Sequence, residues 1–255
     1  MSLWLVSGTD TGIGKTIVTA AVAVTATAAG HQVAVIKPAE SGIVPDSGVE
    51  SDIEVVARLA APASTRVMAS YPDALAPLSA AEEAGAVPLA IGDVIEAVRI
   101  AQQQHDVVLV EGAGGLLVPM GAGRWTLADL AVALRCPVLV VSRAGLGTIN
   151  HTTLTLEALE RRGIAGLVVL GSWPQAPELV HWRNLADLPG HLVGVLPDGA
   201  GKLDPRQFRQ MAPSWLSPLL YGRADPARLR LDGVAGPPPR WPEESRWPEK
   251  SRWPE

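Results

Sequence analysis

The stretch GTDTGIGKT, residues 8–16, sets glycines, a lysine and a threonine in the order that a phosphate-binding loop uses. In such a loop backbone N–H groups surround phosphate oxygens, a role open here to Gly12, Ile13 and Gly14. Lys15 would neutralise the terminal phosphates, and the Thr16 hydroxyl would sit on Mg²⁺. The common loop has four residues between its glycines, whereas Gly8 and Gly14 enclose five. Mg²⁺ takes oxygen ligands, so carboxylates are expected nearby. Glu111 in VVLVEGAGGLLVP ends an apolar run, and Gly112, Ala113 and Gly114 after it allow close approach by a nucleotide. The competing reading is a strand-ending turn with a solvated acid. Asp52 in SDIE is either a further metal ligand or simply the start of a helix capped by Ser51. Lys37 in VAVIKPAESG ends another apolar run, and Pro38 is expected to turn the chain at once. Lys37 is then either a charge stabiliser for phosphoryl transfer or a surface lysine.

These residues need a scaffold that brings strand ends together. Residues 3–6 form a short apolar strand, the glycine loop follows, and the alanine-rich segment 15–29 suits a helix. Further strands are expected at 32–36, 106–110, 137–141, 167–170 and 191–196, with helices at 93–104, 127–134, 149–162 and 205–212. Alternating strands and helices predict an α/β fold, a parallel P-loop NTPase-like sheet with helices on both faces. Strands of this kind are buried on both sides, which fits their continuous apolar character.

With 255 residues, 47% of them hydrophobic, the chain is long enough to bury one large core. A net charge of −5 argues against a general binder of nucleic acid or of anionic membrane surfaces. The apolar stretch at 17–36 is broken by Gly30, His31 and Gln32, short of the roughly 18 residues of a membrane span. Cys136 is the one cysteine, and with no signal peptide in view a cytoplasmic setting is expected. From about Arg223 the composition changes, and GPPPRWPEESRWPEKSRWPE repeats R-W-P-E every six residues. The expected organisation is therefore a domain over residues 1–222 and a solvated, low-complexity tail over 223–255. Trp241, Trp247 and Trp253 in that tail are given no catalytic part.

Together GTDTGIGKT, KPAESG, VEGAGGLLVP and GLGTINHTTLTLEAL resemble, in order and spacing, the dethiobiotin synthetase family from Ser7 to about Gly199. The resemblance implies an ATP- and Mg²⁺-dependent ligase that joins CO₂ to 7,8-diaminononanoate. It implies Lys15 and Lys37 as the catalytic cations with Thr11 beside them as a catalytic residue, and Thr16, Asp52 and Glu111 around the metal. Thr11, on the lengthened loop, and Ser41 would contact the organic substrate. A homodimer is implied, in which Gly147 and Asn150 meet the substrate carboxylate across the interface. The base would lie against Gly171 and Ser172 and against Pro197, Asp198 and Gly199. Three positions depart from the family. Gly12 stands where many relatives have an acid, Glu40 where they have a neutral residue, and Gly171-Ser172 where an asparagine commonly reads adenine. Gly12 would lose a metal or phosphate-loop contact, and Glu40 would add an acid near the cationic site that either attracts the diamine or weakens ATP binding. Gly171-Ser172 would relax the choice of base. Two other classes compete: a partitioning-type ATPase, which would lack KPAESG and VEGAGG, and a non-catalytic module that binds partners through its tryptophan tail.

Overall fold

A computed structural model describes residues 1–44, 48–226 and 228. The R-W-P-E repeat and its three tryptophans lie outside the described residues. In chain order the elements are β1 (Ser2–Gly8), α1 (Lys15–Ala28), β2 (Val33–Ser41), α2 (Asp52–Ala60), β3 (Ser64–Tyr71), α3 (Pro77–Glu83), α4 (Ile91–Gln104), β4 (Val107–Glu111), α5 (Leu127–Leu134), β5 (Val138–Ser142), α6 (Thr148–Glu160), β6 (Gly166–Trp173), α7 (Leu179–Asp187), β7 (His191–Pro197) and α8 (Pro205–Met211). The strands form one seven-stranded sheet in the order β3-β2-β4-β1-β5-β6-β7, and every pairing is parallel.

The central strands β4 and β5 are buried at every residue, as their unbroken apolar sequences require. One core lies between the sheet and α1, α2 and α8, with Val18, Val22, Leu59 and Phe208 fully buried. The other lies on the opposite face, where Val94, Val98, Leu127 and Leu130 pack on Val108, Val110 and Val138. Each such side chain contributes about 1.5–3 kcal/mol by leaving water. Thr25 on α1 also donates to Leu220 O at 2.7 Å, which ties the last described turns to this core. No helix among the described residues is long and apolar enough to cross a membrane.

Two expectations need correction. β2 does not end at Lys37; it runs through Pro38 to Ser41. Pairing with β4 stops at Ile36↔Val110, while pairing with β3 resumes at Ala39↔Ala69, so the missing Pro38 N–H disrupts no central ladder. The neighbour β3 was not expected from the sequence. Its residues Thr65, Arg66 and Ser70 are exposed at the sheet edge, so it lacks the apolar run that marks a buried strand. The helices α3 and α7 are also additional.

Candidate functional site

Parallel strands deliver their carboxyl ends to one rim, and the central register sets the site. Val6 aligns with Glu111 and Ile36 with Val110, so Lys37 and Glu111 leave adjacent strands at one level. Lys37 is 2% exposed and therefore no surface lysine. Its Nζ donates to Asp52 Oδ2 at 2.5 Å, Glu111 Oε1 at 2.8 Å and Gly112 O at 3.1 Å. Thr16 Oγ1 lies 2.9 Å from both Asp52 Oδ1 and Glu111 Oε1.

Both readings of Asp52 hold at once. Ser51 Oγ accepts from the Glu54 N–H at 3.3 Å, and Glu54 Oε2 accepts from the Ser51 N–H at 2.8 Å, a reciprocal cap at the start of α2. Because Ser51 does the capping, the first helical residue Asp52 is free to turn toward Thr16 and Lys37.

The electrostatics follow from this crowding. Burial acts most strongly on Lys37 and pushes its pKa down, but the charges and hydrogen bonds of Glu111 and Asp52 outweigh it and hold the group above the usual lysine range. Asp52 is the mirror case: burial raises its pKa, and Lys37 with Thr16 more than reverses this. Lys15 is pushed down, first by burial and then by the charge of Lys37. A buried ion pair such as Lys37–Glu111 is poor evidence for stabilisation, since desolvating both charges offsets their attraction. Two carboxylates and a hydroxyl around one point are a suitable partial oxygen set for Mg²⁺, which also takes waters and phosphate oxygens.

The glycine loop lies above this cluster. Gly14 caps α1 at φ 94° with no side-chain cap, so the first N–H groups of the helix are left to a ligand. Lys15 Nζ reaches back to Asp10 O at 2.9 Å. Asp10 is a loop organiser that the sequence reading missed. Its carboxylate accepts the Thr11 N–H at 2.8 Å, which chiefly holds its pKa down, and it also pairs with Arg143 beyond β5. Thr11 and Gly12 are exposed at the tip.

A cavity of about 840 Å³ opens beside the loop. Thr11, Gly12, Gly14, Lys15, Thr16, Lys37, Ser41, Asp52, Ala113 and Gly114 all line it, as expected of site residues. Glu40 lines it as well, and so do the unanticipated Val55, Leu75, Pro77 and Val118, which no charged or glycine motif marks in the sequence. Ile13 and Gly112 sit just behind, Ile13 packed into the core and Gly112 giving its carbonyl to Lys37.

Glu111, 1% exposed, is not on the cavity wall but is joined to it through Thr16 and Lys37, and seven further expected residues are not brought to this cavity. Gly147 caps α6 at φ 90° and Asn150 is exposed in its first turn. Gly171, Ser172, Pro197, Asp198 and Gly199 gather at the ends of β6 and β7, where Ser172 Oγ donates to Asp198 Oδ1 at 3.0 Å. Gly171 also has a packing reason to be glycine. A Cβ there would stand 2.0 Å from Ile13 O, and one on Gly14 would stand 2.8 Å from Gly171 O. The phosphate loop therefore rests on the end of β6 backbone to backbone.

Comparison with known proteins follows the same lines. The AAA domain family matches residues 4–201. The ATP-dependent dethiobiotin synthetase BioD of Streptomyces avermitilis is 51% identical over 231 residues, 88% of this chain and 96% of the relative. Those of Streptomyces coelicolor and Saccharopolyspora erythraea are each 50% identical over 88% of this chain, covering 96% and 99% of the relatives. Among solved structures, the MinC:MinD cell division protein complex of Aquifex aeolicus is similar at a TM-score of 0.52 and 16% identity, covering 95% of this chain and 100% of that one. At that identity the likeness speaks for a P-loop NTPase fold alone. The phosphate loop, the parallel sheet and half-identity along nearly the whole chain make this protein a member of the ATP-dependent dethiobiotin synthetase family.

Proposed function

We propose that the chain closes a ureido ring on 7,8-diaminononanoate with CO₂, at the expense of ATP and with Mg²⁺, giving dethiobiotin, ADP and phosphate. The observation that carries this reading is the convergence of Lys37, Thr16, Asp52 and Glu111 in one hydrogen-bond network, with Lys15 beside it on the cavity wall.

The chemistry asks for this set. One substrate amine takes up CO₂ as a carbamate, whose oxygen attacks the γ-phosphorus of ATP and releases ADP. The second amine then attacks the carbonyl carbon of the mixed anhydride, loses its proton and expels phosphate as the ring closes. The carbamate and the triphosphate are both anionic, so bringing them together requires cations. Lys15 would hold the triphosphate, and Lys37 would stand where carbamate and γ-phosphate meet. Held by Thr16, Asp52 and Glu111, Mg²⁺ would supply charge neutralisation for the phosphates. Thr11 and Ser41 would contact the diamine, while the backbone at Gly12, Ile13, Gly14, Gly112, Ala113 and Gly114 would follow the nucleotide. Gly171, Ser172, Pro197, Asp198 and Gly199 would edge the base.

A homodimer completes the reading, with Gly147 and Asn150 of one protomer holding the substrate carboxylate in the cavity of the other. Leu146 and Leu154, 84% and 56% exposed beside these residues, support a covered face there. A cytoplasmic setting suits an ATP-consuming enzyme with a single buried cysteine. The deciding measurement is ADP release with and without diaminononanoate and bicarbonate. Release that needs both is expected; equal release without the diamine overturns the reading in favour of a plain ATPase.

A further inference from the structure

The cavity wall holds a carboxylate that phosphate handling leaves unused. Glu40 lies on β2 beside Ser41 and is only 6% exposed. Ser70 hydrogen-bonds its carboxylate, but the buried Oε2 has no partner. Burial, and after it the charge of Asp52, push the Glu40 carboxyl upward, which reflects a site short of positive charge.

The neighbouring donors make their hydrogen bonds elsewhere. Lys37 has three N–H donors, and they go to Asp52, Glu111 and Gly112 O. Lys15 turns to Asp10 O, and the Ser41 hydroxyl donates to Leu75 O at 2.7 Å. Asp52, the other acid on the cavity wall among the described residues, already receives Thr16 on one oxygen and Lys37 on the other. Oε2 is thus left for a donor that enters the cavity. Leu75, Pro77 and Val118 give the same cavity an apolar wall suited to methylene groups.

We propose that Glu40 is a specificity-determining residue for the diamine, its free Oε2 accepting an N–H from the substrate amine that does not carry the carbamate. This rests on the synthetase reading above. The pair selects for a second amino group and holds it beside the carbamate; the ammonium must give up a proton before its nitrogen lone pair attacks and closes the ring. An ammonium partnered to a buried carboxylate is worth about tenfold to hundredfold in binding.

Glu40→Gln keeps the shape of the side chain and removes its charge. The KM for diaminononanoate should rise about tenfold to hundredfold, while the KM for ATP and the Mg²⁺ titration stay in place. Glu40→Asp should retain part of the affinity. The melting temperature of the unliganded Gln variant should equal or exceed that of the wild type, because an unpaired buried charge is gone. The monoamines 7-aminononanoate and 8-aminononanoate, used as competitive inhibitors, locate the contact. One of them should bind wild type and variant alike and the other should lose affinity in the variant. An unchanged diamine KM, equal losses for both monoamines, a shifted Mg²⁺ titration or a lowered melting temperature would each overturn the assignment. If the wild type itself releases ADP without diamine, the synthetase reading falls, and this inference with it. If the wild type needs diamine and the Gln variant behaves identically, only Glu40 falls.

Discussion

The two ends of the rim formed by the strands' carboxyl ends are built on opposite principles. At the ends of β1, β2 and β4, Lys37, Asp52, Glu111 and Thr16 are already joined to one another, and Lys37 and Glu111 are almost wholly buried. At the ends of β6 and β7 the rim is mostly backbone, with Gly171 pressed against Ile13 and the half-buried Ser172 bonded to the exposed Asp198 beside it. Preorganised charge discriminates strongly, since it needs no rearrangement when the reacting groups arrive. A glycine edge recognises shape and little else. On the reading proposed above, the contrast assigns selectivity to the reacting phosphate and diamine rather than to the base.

The strongest way to break the comparison is Lys37→Ala. Turnover should fall about 100- to 1000-fold with a much smaller change in ATP affinity, because the charge matters most where carbamate and phosphate meet. The variant should also melt earlier, since Glu111 is left buried and unpaired. Rates therefore have to be taken well below the new midpoint, and near-normal turnover there would remove Lys37 from the chemistry.

Next comes Glu111→Gln, which should raise the Mg²⁺ concentration needed for half-maximal rate by about tenfold to hundredfold. Superimposable metal titrations would count against Glu111 as a ligand.

The base end is expected to matter less. CTP and GTP should support the reaction within about tenfold of ATP in kcat/KM, since no side chain at position 171 pairs with one base and rejects others. A preference for ATP above roughly 1000-fold, about 4 kcal/mol, would reveal another group that reads adenine. Gly171→Asn sharpens the point. Because a Cβ there collides with Ile13 O, the substitution should depress activity with ATP and CTP together instead of restoring adenine selectivity.

The smallest effect is a fraction of a proton. In the empty site Lys15 titrates below its usual 10.5, chiefly through burial. A bound triphosphate favours the charged form and raises that pKa, so binding takes up protons in the window between the two values. ATP affinity should therefore weaken as pH rises through that window. Calorimetry in buffers of different ionisation enthalpy measures the uptake, and none at alkaline pH would show that Lys15 is charged throughout.

Much of this could be read from the chain alone, for reasons that are local. Strand, glycine loop and helix are neighbours in sequence, so Gly14, Lys15 and Thr16 announce their own setting. Continuous apolar runs mark β4 and β5 because a strand covered on both faces has no polar position to spare. The edge strand β3 escaped notice because half of it faces solvent, and Asp10 because its partners Lys15 and Arg143 are recognisable only once the loop is closed.

Residue type thus determined that two lysines, a threonine and two acids were available for phosphate and metal, and half-identity with its relatives made the family plain. Their relation was decided by tertiary structure. Only the parallel register sets Lys37 level with Glu111, and only the Ser51–Glu54 cap releases Asp52 toward them. The same holds for Glu40, visible in KPAESG as an acid where relatives are neutral, whose lack of a partner comes from burial and from a Lys37 with no donor left to give. Charge is a property of the sequence, but whether a charge is satisfied depends on distances between residues far apart in the chain, and those exist only in the fold.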